Sequence, residues 1–223
     1  MTLVNGIFDS VLLDSELISY RNDLCFNDGT YYNQKAYQAT RALSPQADNI
    51  ITHDELSELF NIAKNMELPW AYKQDGCYAR AHLMAAKFKE LGHDFDKAWI
   101  NGDLSIQDDQ QQIRWRYHVA PAIYAYNEQG EVKRYVIDPS MADQPLTAQQ
   151  WAQRMTRSSQ SEINERSFPF PKNSQRYARA SLAYSDAEVY YPDASASKAT
   201  QEQKLKMAKD ILNMFQGYLD EMD

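Results

Sequence analysis

Apolar residues recur at helical spacing in three stretches of this chain and at strand spacing in several others. The first helix is predicted from about Thr52, where Thr52 and Glu55 form a capping-box pair ahead of Leu56, Leu59, Phe60 and Ala63. Pro69 closes that region. A second helix is predicted from about Gly76 to Leu91, with Ala81, Met84, Phe88 and Leu91 in register and Gly92 as its stop. The last begins near Thr200, which has Gln203 three residues on. Leu205, Ala208, Leu212, Phe215 and Leu219 form its apolar stripe, expected to pack on its own domain rather than on a partner. Between these helices, residues 97–101 read as a short strand and residues 114–126 and 132–138 as two longer ones. Asn127-Glu128-Gln129-Gly130 is the loop between the longer two. Residues 188–191 are expected to add an edge strand, and Thr156–Lys172 reads as irregular.

Length and composition narrow the classes. A chain of 223 residues is expected to be one domain with a modest appendage, large enough to fold without disulfides or metal. A formal net charge of −8 argues against a nucleic-acid partner. No run of apolar residues is long enough to span a membrane. The N-terminus lacks a recognisable secretory signal, so the expectation is a cytoplasmic chain, one exported by a signal-independent route, or one whose signal is missing. Gly is scarce, at 7 residues, which disfavours Gly-rich phosphate loops. With 2 cysteines and no zinc-type spacing, neither a disulfide framework nor a metal site is expected, and no cofactor is implied.

Cys77 is therefore the group to explain. A lone cysteine is most often a small buried hydrophobe. At a helix N-terminus, however, the unpaired amides and the helix dipole favour its thiolate, the reactive form. Asp75 works against this unless it turns aside. A cysteine nucleophile needs an imidazole base and a group that orients it. Of the 4 histidines, His82 lies five residues along the same helix, about 140° round from Cys77, and is expected on the surface. His93 is a helix length away, and His53 sits just inside the preceding helix. His118 lies mid-strand, and Asp138 ends the neighbouring strand in Val-Ile-Asp-Pro-Ser. The two stand opposite if Tyr126 pairs with Gly130, through an odd three-residue loop or a bulge at Gly130. An even loop would put them on opposite faces. Trp70, Tyr78, Trp115 and Tyr117 are candidates for lining a substrate cleft, although such aromatics more often serve the core. Cys25 is expected to be a free thiol rather than a bridge to Cys77.

The order Cys77, His118, Asp138 matches the papain and transglutaminase plan. The expected fold class is α+β, a papain/transglutaminase-like core. In it, cysteine at a helix N-terminus packs on an antiparallel sheet carrying His and Asp, and a C-terminal amphipathic helix is added. The expected division is an N-terminal extension over 1–50, scaffold or pro-like, a catalytic domain over 51–196, and a C-terminal helix over 197–223 packed on it.

More specifically, the chain resembles the bacterial protein-glutaminase family, the protein-glutamine deamidases. The elements that carry this are Asp75-Gly-Cys77-Tyr-Ala-Arg-Ala-His82, Ala98-Trp-Ile-Asn-Gly-Asp-Leu104, Trp115-Arg-Tyr-His118-Val-Ala-Pro121, Val136-Ile-Asp138-Pro-Ser140 and Pro145-Leu-Thr-Ala-Gln-Gln-Trp151. The resemblance covers about residues 65–192. It implies hydrolysis of the side-chain amide of protein-bound glutamine to glutamate and ammonia. Cys77 would be the nucleophile, His118 the base and acid, and Asp138 the orienter, with a thioester intermediate. Protein substrates with exposed glutamine are the implied partners. The chain lacks the clear signal and the extra cysteines of secreted members, which suggests a delivered effector or toxin, with an immunity protein or chaperone as partner. The alternatives are a transglutaminase or cysteine protease on the same scaffold, or a catalytically silent binding module.

Overall fold

The computed structural model of the protein describes residues 49–108, 111–156, 163–166, 168, 180–190 and 198–221. Most of the N-terminal extension, Cys25 with it, and most of the Thr156–Lys172 stretch lie outside these residues. In chain order the described elements are β1 (Ile50–Ile51), α1 (His53–Lys64), α2 (Cys77–Glu90), β2 (Asp96–Asp108), β3 (Gln111–Tyr126), β4 (Val132–Val136), β5 (Leu146–Thr147), α3 (Ala148–Gln153), β6 (Asn164–Glu165), β7 (Ser181–Asp186) and α4 (Gln201–Asp220). The strands form one curled sheet in the order β5-β4-β3-β2-β7-β6, with β1 pairing parallel to β3 beyond the end of β2.

The predicted helix starts are present. Thr52 Oγ1 accepts from the Glu55 amide while the Glu55 carboxylate accepts from the Thr52 amide, which closes the box that starts α1. Its apolar stripe, Leu56, Leu59, Phe60 and Ala63, is buried with Met84 and Phe88 of α2 and Ile123 of β3. Thr200 and Gln203 close the same box on α4. Ala208, Leu212 and Phe215 of α4 are buried against Ala79 of α2, and Tyr72 stacks on Phe215 with ring centroids 4.4 Å apart. Among the described residues, no helix is long and apolar enough to cross a membrane.

Three expectations about these elements, besides the hairpin register described below, need correction. The strand expected over 97–101 runs on to Asp108, with a register shift between Asn101 and Leu104 that bends it at Gly102. The strand expected at 188–191 lies earlier, at β7. Glu188, Val189 and Tyr190 are outside any strand, and Tyr191 is not described. β7 is buried on both faces, so Leu182, Ala183 and Tyr184 follow one another between Ser181 and Ser185 with no exposed polar residue among them. That removes the alternation by which a half-buried strand is recognised.

The third correction is His82. It is buried, at 4% exposure, because its side of α2 does not face water. The 187–190 segment covers it, and the His82 ring meets Tyr190 edge-on at 5.1 Å. The fully buried Lys97 of β2 donates to His82 Nδ1 at 3.1 Å and to the Val189 carbonyl at 2.6 Å. Burial first, then the charges of Lys97 and Lys204, push the His82 imidazole from 6.5 down to about 3. An imidazole kept neutral in the fold contributes stability above its unfolded value, and that stability is lost as pH falls toward the folded one. Between about pH 7 and pH 4, His82→Gln should therefore lose roughly 3 kcal/mol less stability than wild type. Urea unfolding at the two pH values checks this, and equal losses would sink it.

Candidate active site

Cys77 is the first residue of α2, and the residue before it, Gly76, adopts a left-handed conformation at φ +84°. The position suits glycine twice over, since a Cβ there would meet the Phe215 ring at 2.9 Å. No side chain caps the helix, and its first turn holds no acidic residue. Asp75 Oδ1 accepts from the amide of the N-cap residue Gly76 at 2.6 Å, one residue before the helix begins. The N-cap residue Gly76 offers no side chain to the opening turn of α2, and the positive end of the helix dipole lies at Cys77.

The turn leading into Cys77 is held from two sides. Arg80, one helical turn on and 2% exposed, donates to the carbonyls of Tyr72 at 2.9 Å, Asp75 at 3.0 Å and Pro69 at 3.4 Å. Trp115 of β3 donates from Nε1 to the carbonyls of Lys73 at 3.0 Å and Gln74 at 3.2 Å. A segment with little regular hydrogen bonding of its own thereby finds donors for its carbonyls in the fold.

His118 and Asp138 are in direct contact, with Nε2 and Oδ2 2.8 Å apart and both side chains buried. The register that achieves this differs from the one expected. Tyr126 pairs with Val132, not with Gly130, so the loop has five residues. The odd parity survives, which is what matters: extending the register sets Asp138 beside Ala120, on the face that His118 also uses. The carboxylate reaches diagonally. Gly130, at φ +79°, turns within the longer loop, where Asn127 Oδ1 accepts from the Gln129 and Glu131 amides.

Asp138 is further held by Trp151, whose Nε1 donates to Oδ2 at 2.9 Å, and by Ser140, whose hydroxyl and amide donate to Oδ1 at 2.6 and 3.2 Å. Burial raises its carboxyl, but the His118 charge and these hydrogen bonds outweigh it, so Asp138 titrates below the usual carboxylate value. An ionised carboxylate can only accept, so the imidazole proton sits on Nε2 and the neutral ring has its lone pair on Nδ1. Nδ1 is buried and has no hydrogen-bond partner among the described residues. The imidazole lies between the rings of Trp115 and Trp151, at 5.5 and 5.6 Å.

Cys77 packs into a buried cluster with Trp99, Val119, Phe168 and Ala183, against which Tyr78 and Tyr117 are half-buried. Tyr117 and Val119 flank His118 along β3. The four aromatic candidates thus fall into three groups. Tyr78 and Tyr117 stand at Cys77, Trp115 stands at His118 with its indole turned to the turn before Cys77, and Trp70 belongs to the α1 side of the core, donating to the Met66 carbonyl. The sequence reading missed Arg80, Ser140 and Trp151. Signals for two of them were present. Asp138-Pro-Ser140 is an Asx-turn pattern, and Thr147-x-x-Gln150 is a capping box that starts α3 and so places Trp151. Among the described residues, no group of three or more His, Cys, Asp and Glu could hold a metal ion.

Fold and site together define a mixed α+β protein whose curled sheet buries a histidine–aspartate pair beside a helix that begins with cysteine. Residues 53–155 match the family model described as Glutaminase. Among solved structures, a crystal structure of protein-glutaminase is 26% identical over 66% of this chain and 78% of its own, with a TM-score of 0.51. The NMR structure of protein-glutaminase from Chryseobacterium proteolyticum is 26% identical over 71% of this chain and 84% of its own, at 0.55. A crystal structure of pro-protein-glutaminase is 25% identical, at 0.52, and the matched part spans 56% of its length. No curated protein matches the chain. Over residues 53–155 and in its fold, the chain is thus similar to protein glutaminases.

Proposed function

We propose that the protein deamidates glutamine side chains of other proteins through Cys77, His118 and Asp138 on a papain/transglutaminase-like core. The observation that carries this is the 2.8 Å contact between buried His118 and Asp138, on the strand whose neighbouring residues pack against Cys77. In this reading the Cys77 thiolate attacks the carboxamide carbon. The oxyanion that forms is met by helix-start amides, the Cys77 N–H among them. His118 carries the proton on Nδ1 and delivers it to the departing ammonia. A thioester is left on Sγ. A water then gives its proton to Nδ1 and its oxygen to the acyl carbon, which releases glutamate and returns the thiolate. Asp138 holds the ring in the tautomer that leaves Nδ1 available throughout.

The similarity to protein glutaminases supports water, rather than an amine, as the second nucleophile, and a side-chain amide, rather than a peptide bond, as the substrate. Incubation with a glutamine-rich protein such as casein tests this. The expected outcome is ammonia release and a mass gain matching amide-to-acid exchange, with the chain uncut and an added primary amine left free. Peptide fragments would point to a protease, and amine incorporation to a transglutaminase.

A further inference from the structure

Arg80 is a charged group in the core that the proposed mechanism does not use. It stands three residues after Cys77, so the two are neighbours on α2. A helical side chain leans toward the N-terminus, and this one returns over the first turn to the carbonyls of Pro69, Tyr72 and Asp75. Its hydrogen bonds to described residues go to neutral acceptors. They organise the turn but do not neutralise the guanidinium. Phe215 of α4 closes the other side: its ring sits against Gly76, where Arg80 also approaches. A cation at 2% exposure needs compensating negative charge nearby. Burial weighs against its charge, and the charges that act in its favour are those of Cys77 first, then Asp138, Asp75 and Tyr78.

We propose, resting on the reading of Cys77 as nucleophile, that Arg80 is a positioning residue for it. The buried guanidinium fixes the turn that delivers Cys77 and sets a permanent positive charge against its thiolate. Arg80 then does for the thiolate what the helix dipole does only in part, and it offsets Asp75, whose carboxylate lies in the same turn. The other charged and titratable groups facing this region are Tyr78 on α2, Lys97 from β2, Tyr117 and His118 from β3, and Asp138 behind His118. All of them are unchanged in an Arg80 variant.

The test is the pH dependence of iodoacetamide alkylation at Cys77, read by mass spectrometry of its own peptide in wild type, R80Q and R80K, with melting temperatures alongside. Wild type should alkylate with a midpoint well below the ordinary cysteine value of about 8.5. R80Q should raise that midpoint by about one pH unit. R80K should melt earlier, because its single nitrogen replaces the two guanidinium nitrogens that hold the three carbonyls, yet keep most of the low midpoint. A folded R80Q with the wild-type midpoint would overturn the inference, since a purely structural arginine lowers the melting temperature and leaves the titration alone. If R80Q does not fold, R80K decides. A midpoint still low supports the charge role, and one at the ordinary cysteine value overturns it. A wild-type midpoint that is already ordinary would instead remove the nucleophile reading on which the inference rests.

Discussion

Cys77→Ala is expected to abolish ammonia release, by about 10^4-fold or more, while the protein stays folded. The thiol is small and packs against Trp99 and Val119, so losing one sulfur leaves a void no larger than a methylene or two. The corresponding cost is about 1 kcal/mol, and most of the melting temperature should survive. Cys77→Ser is the sharper variant. It keeps the shape and the hydrogen-bonding group at the helix start, but a hydroxyl is not ionised there as a thiol can be, so it should be nearly as inactive. His118→Ala should match Cys77→Ala, and the double variant should be no worse than either alone. Groups that act as one unit lose their effect together when any is removed. Additive losses, or a serine variant with substantial activity, would mean that the chemistry lies elsewhere. Initial rates of ammonia release with each purified variant settle the point.

The parts of the fold legible in the sequence were those with local rules. Capping boxes at Thr52 and Thr200 and a glycine before Cys77 mark helix starts through hydrogen bonds made within four residues. The long apolar run of β3 marks a central strand. What the sequence did not reveal depended on distant partners. His82 looked exposed because its angle on α2 was set against Cys77 alone, whereas the 187–190 segment and Lys97 of β2 close over that side. β7 was missed because burial on both faces favours Ser and Ala over alternation. The hairpin register was right in parity and wrong in length. Parity decides which face Asp138 uses, and Asn127 and Gly130, which suit several loops, do not set the length. Arg80 was hidden for a related reason: an arginine between two alanines on a helix reads as a surface residue until the turn before it folds back with its carbonyls inward.

Asp138→Asn should lower kcat/KM by about 10^2-fold or more and stability by roughly 1–3 kcal/mol, and the hydrogen bonds explain both. Four donors meet the two carboxylate oxygens: His118 Nε2 and Trp151 Nε1 on Oδ2, and the Ser140 amide and hydroxyl on Oδ1. An amide offers one oxygen and one NH2. With NH2 in the place of Oδ2 it would confront two ring N–H groups. In the place of Oδ1 it confronts only the Ser140 amide, because the hydroxyl can rotate and accept. The substituted asparagine should therefore turn its oxygen to His118, preserving the tautomer and losing mainly the charge that, in the proposed mechanism, stabilises the imidazolium as ammonia departs. Asp138→Ala should be worse on both counts. It strands the buried donors of His118, Trp151 and Ser140 and frees the imidazole to turn between its two tryptophans. The order wild type, Asn, Ala should hold for rate and for melting temperature alike. An asparagine variant with wild-type kcat/KM would reduce the His118–Asp138 contact to a structural pair in the core.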